Sequence, residues 1–283
     1  LGYGVKLSDN LALKKLNMKY FASVMLFKDY KLMAKLAQAM NLESDYNIFI
    51  VKANSTKKKI AEAFFNNDDP AKLNFKSQSA YSLAFYYDII EDQYKQNAFN
   101  NLLDLIDEEK SFTTGLFCTT KLFNILNDYG YDNIVYDFIF DANKFESFFY
   151  QIDDSAYGVD NIYSFSLARC SIIEFFLNSI FGFCYKDDIV IFRLKFIEVE
   201  DFKMASLKRY NKKGMIYAYY NLEGLDLNIN IILPPGLNGL LYLPLSLKEK
   251  EKIEQISLHP YNQSKAENLN PGKNNFILPN FLK

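Results

Sequence analysis

Tryptophan is absent from this 283-residue chain, and histidine occurs once, as His259. A single imidazole excludes metal sites built on clustered histidines and argues against a Ser-His or Cys-His couple. His259, between Leu258 and Pro260, reads as a surface residue. Cysteine is scarce as well: Cys118, Cys170 and Cys184 make an odd number and form no CxxC pair. That excludes a disulfide framework and a cysteine-built zinc site, and it points to a reducing compartment such as the cytoplasm. No apolar run approaches the roughly 18 residues of a membrane span. Neither sign of charge is in excess, with 32 Lys+Arg against 34 Asp+Glu and a net charge of -2. Neither nucleic acid nor a membrane is therefore an expected partner. GxGxxG, P-loop and HExxH patterns are missing too, so no cofactor and no metal are expected.

What the chain does have is apolar surface. Hydrophobic residues make up 49% of it, including 21 Tyr and 26 Phe, enough for a sizeable core. It starts Leu1-Gly2-Tyr3-Gly4, with no signal-peptide pattern, which leaves open a piece of something longer. From Leu11 to Phe181 glycine and proline are sparse and apolar residues recur at helical spacing. About eight helices are expected there. They cover Leu13–Val24, Leu32–Met40, Ser44–Phe65, Gln78–Ile90, Asp92–Asp107, Thr119–Tyr129, Asp132–Phe140 and Ser164–Phe181. Short connections favour antiparallel helical pairs. After Gly182 the period changes to two. Ile189–Phe196, Met215–Tyr220, Leu225–Leu233 and Leu237–Leu243 read as strands, with turns at Lys212-Lys213-Gly214 and Leu222-Glu223-Gly224. The organisation expected is a helical portion over 1–182, a β-sandwich over 183–263 and a loosely ordered tail over 264–283.

One segment carries more than pattern. Ser111-Phe112-Thr113-Thr114-Gly115-Leu116-Phe117-Cys118-Thr119-Thr120, with Leu122, Leu126 and Asn127-Asp128-Tyr129-Gly130-Tyr131 behind it, resembles the threonine-threonine-glycine block of the α-L-rhamnosidases, glycoside hydrolase family 78. Gln78-Ser79-Ala80-Tyr81-Ser82-Leu83-Ala84 is similar to that family's QTAYALA helix, and Tyr20-Phe21-Ala22 to its TAYFA helix. Ile172-Ile173-Glu174-Phe175-Phe176 stands where the family has IGEWFY. The resemblance runs in order from Asp9 to about Leu240. It implies a partial (α/α) barrel of the six-hairpin toroid type followed by a C-terminal β-sandwich. It also implies metal-independent hydrolysis of terminal α-L-rhamnosides by inversion, with carbohydrate as the partner.

Inversion takes two carboxyl groups, one donating a proton to the leaving oxygen and one activating water, roughly 6.5–9.5 Å apart. The family's acid lies in a D-E-R-x-G-W-x-G-D type block, and this sequence holds no such block. Its base is the Glu of an A-T-T-x-W-E motif. The matching stretch in this chain is Ala156-Tyr157-Gly158-Val159-Asp160-Asn161, so Asp160 stands nearest the base, followed by Asp153 and Asp154. Loop or capping carboxylates are the alternative reading of all three. Tyr150, Tyr157 and Tyr163 are candidate sugar platforms or packing residues. Thr113 and Thr114 are candidate binding residues at the barrel mouth, or caps for the helix that follows. Glu174 reads either as a sugar-binding or as a structural carboxylate, and Lys57-Lys58-Lys59 as a solvated helix face. The chain is thus expected to be a fragment or a degenerate copy of a rhamnosidase-like hydrolase, or else an inactive carbohydrate-binding or structural module. A half-barrel would leave apolar helix faces uncovered, which predicts self-association or association with a missing N-terminal part.

Overall fold

The computed structural model describes residues 17–140, 172–186, 188–194, 203–244 and 266–281, with the backbone alone for 115–117. Among them are six α-helices: α1 (Met18–Ala39), α2 (Glu43–Phe64), α3 (Gln78–Tyr86), α4 (Asp92–Glu109), α5 (Gly115–Asp128) and α6 (Asp132–Phe140). Residues 172–175 are also α-helical and run into a π-helical turn, Phe176–Ile180, which precedes eight strands. The described residues fall into two compact units. One lies within Leu1–Ile125 and Phe138–Ser171, the other within Leu126–Asp137 and Ile172–Lys283.

The two helices expected over Leu13–Val24 and Leu32–Met40 are one continuous helix from Met18. No glycine or proline interrupts Phe27 to Lys31, and a polar Lys-Asp pair on a solvated face does not stop a helix. Asn17 caps α1, its Oδ1 accepting from the Lys19 and Tyr20 amides at 3.0 and 3.2 Å. Asn41, at φ 57°, turns the chain into α2, and the α1–α2 hairpin follows from that tight link. Tyr20, Val24, Phe27, Ala34 and Ala37 form the buried stripe of α1. Leu32 and Leu36, at 57% and 51% exposure, stand outside it with Met33, Met40 and, on α2, Ile48 and Val51. Helix α3 is buried from Gln78 through Ala84, which fits its apolar composition on nearly every side. It ends at Tyr86, short of the expected Ile90, because Asp88 takes a left-handed φ of 58°.

In the second unit the strands form two four-stranded sheets, β1-β2-β6-β7 and β3-β4-β5-β8. They are β1 (Cys184–Lys186), β2 (Ile189–Arg193), β3 (Met204–Asn211), β4 (Gly214–Glu223), β5 (Asp226–Leu233), β6 (Gly239–Tyr242), β7 (Ala266–Leu269) and β8 (Gly272–Leu278). Every pairing among the described residues is antiparallel except β2 with β6. Strand β5 alternates strictly: Leu227, Ile229, Ile231 and Leu233 are buried while Asn228, Asn230 and Ile232 point the other way. Strand β2 has Val190, Ile191 and Phe192 all buried, as a strand covered on both faces should. Two close approaches need glycine. Gly182 sits at φ +51° against Arg193, and a Cβ at Gly239 would come within 2.7 Å of the Val190 carbonyl oxygen.

Strands β1, β3, β7 and β8 were not expected from the sequence. Met204–Asn211 has a mixed polar composition that conceals its pairing with β4. The stretch beyond Ser264 is the larger correction. It was expected to be a loose tail, yet Ala266–Leu269 pairs with β6 and Gly272–Leu278 with β5. The sandwich therefore extends past residue 263. Asparagine and glycine are poor strand formers, and here backbone pairing with a strong neighbour overrides local preference.

Candidate functional site

The threonine-threonine-glycine segment is built as a loop pinned by buried hydrogen bonds. Helix α4 ends at Glu109, with Lys110 in the left-handed region, and helix α5 begins at Gly115. The residues between them double back onto the first turn of α3. Gln78, fully buried, is the hub. Its Oε1 accepts from the Thr113 amide at 3.1 Å, and its Nε2 donates to Glu109 Oε2 and to the Ser111 carbonyl, both at 2.8 Å. Thr113 Oγ1 donates to the same Glu109 oxygen at 2.6 Å, the short distance of a charge-assisted bond. Ser79 Oγ donates to the Thr114 carbonyl at 2.9 Å, and Thr114 Oγ1 shares a 2.9 Å hydrogen bond with Thr119 Oγ1. Phe112 anchors the segment from below, its ring 5.4 Å from Phe123 and 4.4 Å from Phe138.

The sequence explains why α3 can do this. Ser77 caps the helix, its Oγ accepting from the Ala80 amide at 3.2 Å, which places Gln78 and Ser79 in the first turn facing the loop. Ser82 Oγ closes on the Gln78 carbonyl at 2.8 Å, and Tyr20 of α1 donates its hydroxyl to the Ala80 carbonyl at 3.0 Å. Burial pushes the Tyr20 phenol far above its ordinary range, and nearby Cys118 and Tyr81 push the same way. Cys118, in the first turn of α5, is likewise pushed up to about 11 by burial, against smaller opposing effects of Lys121 and a Ser79 hydrogen bond. It is a neutral thiol, not a nucleophile.

Of the site residues read from the sequence, Thr113 and Thr114 come together here, 8% and 3% exposed, with both hydroxyls engaged inside the chain. Helix α5 starts at Gly115, four residues before the expected Thr119, so Thr114 stands immediately ahead of it. Asp153, Asp154, Asp160, Tyr150, Tyr157 and Tyr163 lie outside the described residues, as does His259. Glu174 is half-buried and its Oε1 accepts from Asn178 Nδ2 at 3.4 Å. Two members of the loop cluster were not singled out in advance. Gln78 had a legible signal, the one amide side chain in a helix made otherwise of apolar, serine and tyrosine residues. Glu109 had none, being one of several acids at the end of α4. Among the described residues no group of three His, Cys, Asp or Glu could hold a metal ion, and no helix is long and apolar enough to cross a membrane.

Comparison with known proteins adds to this geometry. Residues 6–185 match the family model described as the bacterial alpha-L-rhamnosidase 6 hairpin glycosidase domain. An alpha-L-rhamnosidase of Formosa agariphila is 23% identical to this chain over 268 residues, covering 88% of the chain and 28% of that protein. Two solved structures superpose on 96% of the chain with a TM-score of 0.71. They are the Aspergillus terreus alpha-L-rhamnosidase, at 13% identity and 33% of its length, and the Streptomyces avermitilis enzyme complexed with L-rhamnose, at 16% identity and 28% of its length. The chain thus spans about a third or less of each of these proteins. The partial six-hairpin barrel followed by a β-sandwich, inferred from the motifs, is the fold they share. This chain belongs to the bacterial alpha-L-rhamnosidase six-hairpin glycosidase domain family.

Proposed function

We propose that this chain is a portion of an α-L-rhamnosidase-like glycoside hydrolase whose reaction is inverting hydrolysis of terminal α-L-rhamnose. The observation that carries the reading is the family match over residues 6–185, within which the Thr113-Thr114-Gly115 loop is held in one conformation by Gln78 and Glu109. In this reading Asp160 is the base that takes a proton from water, with Asp153 and Asp154 on sugar hydroxyls and Tyr150 and Tyr157 against the ring. Thr113 and Thr114 serve through the shape of the loop they close. The acid is supplied from outside these 283 residues. Barrel helices are assigned to 1–182 and the sandwich to the residues after them.

A second reading is favoured by one sequence fact, the Asp160-Asn161 pair standing where the family has Trp-Glu. A carboxylate displaced by about 1 Å can cost about two orders of magnitude in rate. The chain would then be an inactive carbohydrate-binding or structural module of the same fold. Hydrolysis of 2,4-dinitrophenyl α-L-rhamnoside, whose phenolate departs without a proton donor and so needs only the base, by the purified chain and by Asp160→Asn decides between them. Turnover lost in the variant supports the first reading with Asp160 as base. Turnover that survives removes Asp160, and no turnover in either protein favours the second reading for the chain as it stands.

A further inference from the structure

The outer face of the β3-β4-β5-β8 sheet carries chemistry that the fold does not use. Its inward positions, Ile216, Ala218 and Tyr220 on β4 and Leu227, Ile229 and Ile231 on β5, are all almost fully buried. The alternate positions point outward and align across the four strands. One row reads Ser206, Tyr219, Asn230 and Asn275; the next reads Lys208, Tyr217, Ile232 and Lys273. Tyr217 and Tyr219, two residues apart on one strand, stand about 6.8 Å from each other on the same face. Asparagine is depleted from strands, yet Asn221, Asn228, Asn230 and Asn275 all occupy outward strand positions. Asn230 Oδ1 has no hydrogen-bond partner although it is out of solvent.

Charge on this face is arranged unevenly. Glu223 and Asp226 close the β4–β5 hairpin, and both are occupied: Glu223 accepts from Asn221 Nδ2 at 2.7 Å and Asp226 from the Asn280 amide at 2.8 Å. Lys208 and Lys273 share the row of Tyr217 and have no ion pair among the described residues; Lys208 Nζ lies 6.0 Å from the Tyr217 ring centroid. Tyrosine rings offer flat apolar area to the C–H face of a sugar, amides offer paired donors and acceptors to its hydroxyls, and ammonium groups offer counter-charge to a carboxylate.

We propose that this sheet face binds an extended, carboxylate-bearing polysaccharide, with sugar rings on Tyr217 and Tyr219, hydroxyls on the asparagine rows and carboxylates at Lys208 and Lys273. The site lies within the second unit and involves no catalytic residue, so it stands or falls independently of rhamnoside hydrolysis. Affinity electrophoresis tests it, using native gels cast with polygalacturonate, with dextran as a neutral glycan and polyglutamate as a polyanion without sugar rings. The chain should be retarded by polygalacturonate well beyond either control. Tyr217→Ala with Tyr219→Ala should abolish that retardation while far-UV circular dichroism and the urea midpoint hold. If that double variant does not fold, Asn230→Asp, which sets a like charge beside the bound carboxylates, should reduce the retardation instead. Equal retardation by polyglutamate would overturn the proposal in favour of charge alone, and equal retardation by dextran would remove the carboxylate from it. No retardation in polygalacturonate, or retardation untouched by these variants, would rule this face out.

Discussion

Two regions of this molecule are rich in amides and hydroxyls, and they use them in opposite ways. Around the Thr113–Gly115 loop, the side chains of Gln78, Ser79, Thr113, Thr114 and Glu109 are turned inward and answer one another. On the outer face of β3-β4-β5-β8, the asparagines, tyrosines and lysines stand along pleat positions with few partners among the described residues. Buried polar groups in a low-dielectric surround must be satisfied, so a complete network fixes one loop conformation. Half-open polar groups exchange with water and fix little. The same residue types therefore specify shape in one region and leave recognition chemistry available in the other.

The contrast can be broken at its strongest point first. Gln78→Leu removes one acceptor and two donor bonds at once and leaves the buried Thr113 amide without its acceptor and the part-buried Ser111 carbonyl without its donor. A loss of about 3–4 kcal/mol in urea unfolding is expected. A loss under about 1 kcal/mol would mean that the network does not hold the loop. Cys118 gives the next effect. Its thiol is held near pH 11 in the folded chain, against about 8.5 when unfolded. A raised pKa favours the protonated folded form, so its contribution is full below pH 8.5 and lost as pH rises toward 11. The alkaline loss should reach about 2–3 kcal/mol. Cys118→Ala should lessen the loss between about pH 8.5 and 10, below the range where the buried Tyr20 phenol adds its own; an unchanged profile over that interval would remove Cys118 as its source. Thr114→Val deletes the shared hydroxyl bond with Thr119, for a loss of about 1–2 kcal/mol in the same urea titration. On the open sheet, Asn275→Ala should change stability by no more than about 0.5 kcal/mol, and a larger loss would show that this face is holding the fold. The exposed Leu32, Leu36 and Val51 of the α1–α2 hairpin lead us to expect concentration-dependent association. A monodisperse monomer by light scattering at high concentration would refute it.

Much of the helical unit was legible from sequence because its period is strong and its breakers are few. Glu43–Phe64, Asp92–Glu109 and Asp132–Phe140 fall within two residues of the bounds read from the pattern. The merged α1 escaped because a polar pair midway imitates a boundary, while helix continuity depends on the absence of a breaker. In the sheets, Leu225–Leu233 announced itself by strict alternation, whereas Met204–Asn211 and Gly272–Leu278 did not. Half their side chains face solvent or edge positions, and their pairing is decided by a neighbouring strand whose identity no local pattern announces. For the loop, the resemblance located Thr113 and Thr114, but their partners came from α3 and α4. Gln78 precedes Thr113 by 35 residues, a separation that no local pattern spans.

Strands β7 and β8 join different sheets, β7 beside β6 and β8 beside β5. During synthesis, the first sheet cannot gain its β7 edge until Leu269 has left the ribosome, nor the second its β8 edge until Leu278 has. Until then β5 and β6 present unpaired backbone to any other nascent chain, the condition under which strands pair wrongly. A ribosome stalled after Tyr242 would release a protein with both sheets open. The last strands of both sheets thus come from one short stretch near the end of the chain, residues 266–278.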